Sequence, residues 1–243
     1  SSVANAQNIK LVLDIVVNKA KEEKLIVVVS AFSKITDLLQ LASQKAAAGD
    51  ESFKEILADL ETKHLDALKE LIPVSEQSSL LSHIKRIINH LETLLDGCYL
   101  LGELSPRTSD TILSFGELLS SYIIAEALKQ KLKNSSYKDS RELIKTNNSF
   151  GKAVVNFDVS NKLIVDFFAS NENQVVVMPG FIAASLDGIN TTLGRGGSDY
   201  TAAILAGALH ANELEIWTDV NGMFTANPKI VKQAQPIVFI SYQ

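Results

Sequence analysis

A glycine-rich turn between a buried strand and a helix is the feature that most constrains how this chain folds. Residues 175–179 form a short apolar run rich in valine, which predicts a buried strand. The sequence TTLGRGGSDYTAA follows at 191–203, and residues 198–210 are mostly small or apolar, which predicts a helix. A strand that leads through a turn into a helix is the unit from which α/β domains are built.

The turn itself is suited to an anion. Gly194, Gly196 and Gly197 allow positive φ angles and close approach of a ligand to the backbone. Free N–H groups at the start of the following helix favour negative charge, and Arg195 offers a planar fork for a carboxylate or phosphate. The glycines alone are equally consistent with an ordinary tight turn that carries a surface arginine.

Polar residues also lie at the predicted starts of two helices, the one after the glycine-rich turn and one near the N-terminus. Ser198 is a natural N-cap, and Asp199 adds a carboxylate to the same turn. Residues 25–29 are a continuous apolar run typical of a buried parallel strand, and SAFSKIT leads from it into a helix predicted over 37–48. Ser30 and Thr36 lie where ligands bind in open α/β sheets, although capping of that helix by Ser33 or Thr36 explains the hydroxyls equally well.

Strands and helices alternate along most of the chain, which predicts an α/β fold with a mostly parallel sheet covered on both faces. The other predicted helices start at residue 9 or lie over 53–71, 81–98, 111–131 and 157–169, and the other predicted strands lie over 213–217 and 237–240.

One carboxylate stands out within the most apolar helix. Glu117 lies in SFGELLSS, inside a helix predicted over 111–131 that is apolar on most sides and therefore buried. A buried carboxylate is costly unless it is paired or binds a cation. Glu117 either faces a positive group of a ligand or points outward from a less buried turn.

Composition excludes several classes of protein. A net charge of −5 over 243 residues gives no bulk attraction to nucleic acid. Cys98 is the one cysteine, so no internal disulfide forms, as is typical of a reducing compartment. The four histidines lie singly along helices, which predicts no metal site in the protein itself. No signal peptide and no apolar run of transmembrane length is visible, so we expect a cytoplasmic protein without membrane partners.

Four segments together resemble aspartate kinases, members of the amino-acid kinase superfamily. They are VSAFSKIT (29–36), SFGELLS (114–120), TTLGRGGSDYTAA (191–203) and WTDVNGMFTANP (217–228). The resemblance spans nearly the whole chain. The helical block at 51–102 is most similar to the kinase portion of bifunctional aspartokinase–homoserine dehydrogenases.

The resemblance implies a three-layer αβα sandwich with a mostly parallel central sheet, like that of carbamate kinase. It implies a kinase domain over 1–243 with a helical subdomain inserted at about 51–133. It also implies transfer of the γ-phosphate of ATP, with Mg²⁺, to the β-carboxylate of L-aspartate, the first step of lysine, threonine and methionine biosynthesis. That carboxylate is ionised at neutral pH, so catalysis needs alignment and charge neutralisation rather than a general base.

Roles for individual residues also follow from the resemblance. Arg195 would bind the α-carboxylate of aspartate, while Glu117, with Asp199, would face its ammonium group or order the site. Arg195 and Asp199 are therefore the catalytic candidates. The remaining substrate-binding candidates are Ser30, Thr36, Gly196, Gly197 and Ser198.

The nucleotide-binding candidates by resemblance are Thr218, Asp219, Phe224 and Lys229. Phe224 stands where the family usually has tyrosine, so a hydroxyl contact is lost while stacking survives. Lys229 replaces an arginine and Asn227 an aspartate, so a phosphate would meet a point charge instead of a bidentate fork.

The two ends of the sequence depart from the family pattern. The family's first strand carries Lys-Phe-Gly-Gly just before Ser-Val-Ala-Asn, whereas this sequence starts at Ser1. The family also continues past Gln243 into another nucleotide-contacting lysine and regulatory domains. We therefore expect a kinase domain cut at both ends, with little or no activity as 243 residues, from a protein that is a homo-oligomer at full length.

Three other functions are alternatives to an aspartate kinase. Another amino-acid kinase, acting on a glutamate derivative or on UMP, is disfavoured because Arg195 and Glu117 together suit a free amino acid. A non-catalytic fragment that binds an amino acid remains an alternative. A NAD-binding domain is disfavoured because no G-x-G-x-x-G follows the first strand.

Overall fold

The computed structural model describes residue 3 and residues 5–218, 222, 224–227, 230–237 and 239. Within these residues the helices are α1 (Ala6–Lys19), α2 (Ile35–Ala47), α3 (Phe53–Leu71), α4 (Val74–Leu101), α5 (Pro106–Lys131), α6 (Ser140–Leu143), α7 (Phe157–Ser170) and α8 (Gly197–Leu209). The strands are β1 (Leu25–Val29), β2 (Ser135–Tyr137), β3 (Lys145–Thr146), β4 (Val175–Pro179), β5 (Ile182–Ser185) and β6 (Asn190–Thr192).

Strand pairing is mostly parallel, which confirms the predicted fold class. β4 lies between β1 and β2 and is parallel to both, with Leu25 and Ser135 on either side of Val175. In a second small sheet β5 pairs parallel with β3 and antiparallel with β6. The antiparallel pair was not predicted, because strands of four and three residues are too short to show a pattern in the sequence.

β4 separates two layers of helices, as the predicted three-layer sandwich requires. Its five residues are all buried, and successive side chains of a strand point to opposite faces. Val175 and Val177 pack in a core formed with α1 to α5. Val176 and Met178 pack in a second core with α7, α8 and β5.

Long helices fill most of the stretch from 53 to 131, and α5 is the most buried of them. By length and composition alone α5 could cross a membrane. However, it packs inside the protein, where Ile112, Leu119 and Ile123 are fully buried, so it is a core helix. α4 begins directly after Pro73, at a position where proline does not interrupt a helix. Whether these helices form a separate subdomain stays a prediction.

Both predicted serine or threonine caps are wrong. α2 begins at Ile35 behind Lys34, whose φ is +66° and whose side chain makes no capping bond. α8 begins at Gly197 behind Gly196, also without a capping side chain. In each case a left-handed residue, rather than a hydroxyl, turns the chain into the helix.

The strand predicted over 213–217 is also wrong. Leu214, Ile216 and Trp217 are 43–55% exposed, and a cavity separates this segment from the open edge of β1. A strand pairs its N–H and C=O groups with those of a neighbour, and residues 213–217 form no strand. The strand predicted over 237–240 falls partly outside the described residues.

Candidate functional site

A small cavity lies where the β1–α2 loop, α5 and the glycine-rich turn meet. Its volume is about 260 Å³. Sites for drug-sized ligands measure roughly 300–1,000 Å³, so this cavity suits a smaller molecule. We call it the arginine pocket. It is lined by Thr36, Glu117, Phe181, Gly194, Arg195, Gly196, Gly197, Ser198 and Asp199.

The glycines of the turn have the backbone freedom that the sequence predicts. Gly194 and Gly196 have φ angles of +77° and +73°, which glycine adopts without steric cost. The N–H of Gly197 donates to the carbonyl of Gly194 at 3.0 Å, closing a tight turn around Arg195. The side chain of Arg195 is thereby presented at the start of α8.

Two glycines allow the turn to pack closely on the end of β4. A Cβ on Gly180 would lie 2.7 Å from the Cβ of Ser198, and a Cβ on Gly197 would lie 2.7 Å from Cδ2 of Phe181. Real Cβ atoms do not approach this closely, so both positions require glycine. The first turn of α8 therefore packs directly against the residues that follow β4.

Phe181 lies in the wall of the pocket with a strained backbone. Its φ is +64°, which is unusual for a residue with a bulky side chain. The N–H of Phe181 donates to Oγ1 of Thr201 at 3.0 Å, and its carbonyl accepts from the N–H of Leu193 at 2.9 Å. These bonds hold the strained residue in place. No local sequence pattern predicts this conformation.

Glu117 is buried, so the interpretation that it points outward is wrong. Its side chain is 3% exposed. Oε1 accepts from the N–H of Ala31 at 3.2 Å, while Oε2 is buried without a hydrogen-bond partner among the described residues. Burial raises the pKa of Glu117 to about 8, against the opposing effect of the bond from Ala31. A positive group in the pocket would satisfy Oε2 and favour the ionised form.

Gly116 brings Glu117 close to the loop after β1. A Cβ at Gly116 would lie 2.9 Å from the Cβ of Ala31 and 3.4 Å from side-chain atoms of Ile35 and Leu39. The missing side chain lets α5 approach the loop closely enough for the bond between Glu117 and Ala31. Ser120 adds a second tie, since its Oγ donates to the carbonyl of Ser30 at 2.8 Å.

A second, larger cavity follows the open edge of β1. It measures about 880 Å³ and lies between α1, α8 and residues 211–218. Ser30 and Thr218 line this cavity and not the arginine pocket. Ser198 and Asp199 line both, so the two cavities adjoin at the first turn of α8.

The structure therefore brings most substrate candidates together, and of the two nucleotide candidates that it describes it places Thr218 on the larger cavity and Phe224 on neither. Thr36, Glu117, Arg195 and the residues 196–199 surround the arginine pocket, and Ser30 lies beside it on the larger cavity. Phe224 forms an isolated antiparallel bridge with Pro236 and lines neither cavity. Asp219 and Lys229 lie outside the described residues.

Asp110 is a buried carboxylate that the sequence analysis missed. It is 1% exposed and accepts hydrogen bonds from Gly151 and Thr192. Burial raises the pKa of Asp110, and these bonds oppose the rise. Its position seven residues before Glu117 puts both on one face of α5. That spacing was visible, but the predicted helix began one residue after Asp110.

Comparisons with known proteins match the sequence of this chain to one family. The model of the amino acid kinase family matches residues 1–243. The chain is 34% identical over 242 residues to the bifunctional aspartokinase/homoserine dehydrogenase 2, chloroplastic, of Arabidopsis thaliana, covering 99% of this chain and 26% of that protein. It is 32% identical over 244 residues to the lysine-sensitive aspartokinase 3 of Escherichia coli, covering 100% of this chain and 52% of that protein.

A solved structure gives the same result in three dimensions. Aspartokinase III of E. coli in complex with aspartate and ADP superposes with a TM-score of 0.86 at 33% identity, over 97% of this chain and 51% of that one. The chain thus spans about a quarter of the plant relative and about half of the bacterial one.

Proposed function

This chain belongs to the amino acid kinase family, and we propose that within it the chain is the catalytic domain of an aspartate kinase. The reaction transfers the γ-phosphoryl group of ATP to the β-carboxylate of L-aspartate and gives 4-phospho-L-aspartate. The observation that carries the proposal is that Arg195 and the buried carboxyl of Glu117 line one small cavity. A free amino acid offers an anion to the first and a cation to the second.

Binding uses opposite charges at opposite ends of the ligand. The guanidinium of Arg195 binds the α-carboxylate through a charge-assisted, two-pronged contact. Oε2 of Glu117, which has no partner among the described residues, accepts from the ammonium group. Thr36 and the residues of the turn complete the pocket and leave the β-carboxylate as the free nucleophile.

The nucleotide enters through the larger cavity. Thr218 lines this cavity, and Ser198 and Asp199 lie on both cavities, so the γ-phosphate would meet the β-carboxylate at the first turn of α8. The E. coli aspartokinase III complex contains both aspartate and ADP, which supports a site for each of the two ligands. Asp219, Phe224 and Lys229 stay predicted contacts.

Mg²⁺ fits this arrangement as a companion of the nucleotide. Among the described residues no three His, Cys, Asp or Glu side chains come together, and Mg²⁺ bound with ATP needs only one or two carboxylates beside the phosphates. Asp199, at the junction of the cavities, is the carboxylate placed to hold it directly or through water. When bound, the ion would neutralise phosphate charge.

The chain's own contribution to the rate is alignment and electrostatics. The nucleophile is already ionised, so no proton has to be removed before attack. Backbone N–H groups of the turn and the N-terminal end of α8 point partial positive charge at the transferring phosphoryl group. Arg195 and Glu117 fix the ligand so that the β-carboxylate faces the nucleotide.

The chain spans only part of its relatives, so a homo-oligomer is a prediction for the full-length protein. Cytoplasmic location is expected from the single buried cysteine, Cys98.

Hydroxylamine trapping of the acyl phosphate tests the proposal directly. The full-length natural protein is given Mg-ATP and one acceptor at a time: L-aspartate, L-glutamate, N-acetylglutamate or UMP. Because phosphorylated UMP forms no hydroxamate, the reaction with UMP is measured by the release of ADP. We expect hydroxamate from L-aspartate only. Phosphoryl transfer to N-acetylglutamate or UMP in preference to L-aspartate would show another amino acid kinase. Calorimetric binding of aspartate without turnover would indicate a binding domain.

A further inference from the structure

We propose that Asp110 is a positioning residue that fixes the glycine-rich turn, and with it Arg195, relative to Glu117. Asp110 lines neither cavity and therefore does not touch the ligand. The inference rests on the proposed function only for the identity of that ligand.

The carboxylate of Asp110 is used entirely to hold backbone and hydroxyl groups. Oδ2 accepts from the N–H of Thr192 at 2.9 Å, and Oδ1 accepts from its Oγ1 at 2.9 Å. The N–H of Gly151 lies 2.9 and 3.0 Å from the two oxygens. Hydrogen bonds to an ionised acceptor are about twice as strong as neutral ones, so this is a firm attachment.

Both attached segments lead to the turn. Thr192 is the last residue of β6, three residues before Arg195. The carbonyl of Gly151 lies 3.3 Å from where a Cβ on Gly194 would be, so the loop around Gly151 packs directly on the turn. Asp110 thereby holds the chain before Gly194 and the loop beneath it.

α5 connects this attachment to the other half of the pocket. Asp110 and Glu117 are seven residues apart on the same helix, which is two turns and about 10.5 Å along the axis at 1.5 Å per residue. Glu117 is fixed to the β1–α2 loop through Ala31. One helix therefore carries both groups. Asp110 fixes the turn that bears Arg195, and Glu117 provides the carboxylate that faces the ammonium group.

A purely structural role for Asp110 would give different experimental results from a positioning role. A purely structural residue contributes to stability alone, whereas a positioning residue also sets the affinity for a ligand that must reach both Arg195 and Glu117. Among the described residues no cation pairs with Asp110, so its buried charge depends on these few hydrogen bonds. Replacing one acceptor atom is enough to disturb the attachment.

The test uses the full-length natural protein with four variants, one of which is a control. Asp110→Asn exchanges an acceptor oxygen for an NH₂ group that cannot accept. Thr192→Val removes the hydroxyl donor at constant shape, and Thr192→Ser keeps it. Ser160→Ala is the control for a lost buried hydrogen bond elsewhere, because buried Ser160 bonds to the backbone of Lys145 and lines neither cavity.

We expect Asp110→Asn to raise the KM for aspartate by about tenfold or more, the scale of a lost hydrogen bond to a charged group. We expect kcat to change less and the KM for ATP to stay the same. Thr192→Val should raise the KM for aspartate by a smaller factor, and Thr192→Ser should behave like wild type. Ser160→Ala should lower Tm without changing either KM.

Amide hydrogen exchange of the ligand-free protein gives a readout that needs no substrate. Asp110→Asn should speed amide exchange at 193–197 and leave exchange in β3 and α7 unchanged. This expectation does not depend on the substrate. If wild type fails to phosphorylate aspartate, only the proposed function is refuted. The inference is overturned if exchange at 193–197 is unchanged or if the KM for aspartate is unchanged while Tm falls. If Asp110→Asn does not fold, wild-type aspartate affinity in Thr192→Val overturns it.

Discussion

At the scale of single residues, the charge state of Glu117 controls what the arginine pocket can hold. Burial favours the neutral carboxyl, and the single bond from Ala31 is too little to keep it ionised. An ammonium group placed at Oε2 reverses this preference. Binding of an amino acid should therefore release a proton from Glu117 at neutral pH.

Replacing Glu117 by glutamine should remove a pH dependence of stability. With a folded pKa of about 8 against a usual value of 4.5, the native state holds more protons than the unfolded state between these values. Stability of wild type should therefore fall as pH rises through this window, by up to about 1.4 kcal/mol per pH unit. Urea unfolding of Glu117→Gln from pH 5 to 9 should show a flatter profile.

The control for this experiment is Glu92→Gln on the exposed side of α4. Its pH profile should follow that of wild type. Parallel profiles for wild type and Glu117→Gln would show that Glu117 ionises normally in the folded protein.

Removing the guanidinium of Arg195 should weaken aspartate binding. Truncating one partner of a buried charge pair costs about 2–5 kcal/mol, so Arg195→Ala should raise the aspartate Kd of the full-length protein accordingly. Arg195→Lys should lie between, since it keeps the charge without the fork. Arg107→Ala, at an exposed position early in α5, should bind aspartate like wild type. An unchanged Kd in Arg195→Ala would remove Arg195 from the site.

Residue types carried part of this information in the sequence. Arg195 among glycines suggested a site because its planar fork suits an anion, and Glu117 suggested one because a buried carboxylate is costly without a partner. Phe181 and Asp110 did not, since a positive φ and a set of long-range hydrogen bonds depend on neighbours that are distant in sequence. Side-chain chemistry is readable locally, whereas contacts made by the fold are not.

At the scale of elements, the unit of β4, the glycine-rich turn and α8 depends on close backbone approach. Gly197 packs on Phe181 with no room for a side chain, whereas a Cβ on Gly207, later in the same helix, would meet nothing within 4 Å. These two positions separate the packing role of glycine from its effect on helix propensity.

Gly197→Ala should destabilise the protein by roughly 1–3 kcal/mol, the scale of overpacking, and should weaken aspartate binding because the turn is displaced. Gly207→Ala should stabilise it by about 0.5–1 kcal/mol, the helix propensity difference. Thermal unfolding with a calorimetric aspartate titration checks both. Equal Tm changes of the same sign in the two variants would contradict the packing described here.

Apolar residues predicted the long helices and the two buried strands, and missed the shortest elements. α3 was expected from its regularly spaced apolar positions, and α5, β1 and β4 from their nearly continuous apolar residues. The segment 213–217 has the composition of a strand, but pairing with a neighbouring strand decides whether one forms, and this segment forms none. Helix starts at Ile35 and Gly197 were misplaced because left-handed residues, not hydroxyls, precede them.

At the scale of the whole molecule, two cavities adjoin each other, one after the carboxyl ends of β1 and β4 and the other along the open edge of β1. We propose that the arginine pocket takes the small charged ligand, and the larger cavity along β1 adjoins it at Ser198 and Asp199. Ligands of α/β folds bind at this end of the sheet because the strand ends leave a crevice there. The central claim is that Arg195 and Glu117 hold the two ends of one amino acid.

Calorimetric titration with ligands that lack one end each tests this claim most directly. Succinate is L-aspartate without the ammonium group, and β-alanine is L-aspartate without the α-carboxylate. In the full-length protein, Glu117→Gln should lose the preference for L-aspartate over succinate and keep that over β-alanine. Arg195→Ala should lose the preference over β-alanine and keep that over succinate. If both variants weaken all three ligands by the same factor, the two residues do not divide the ligand between them.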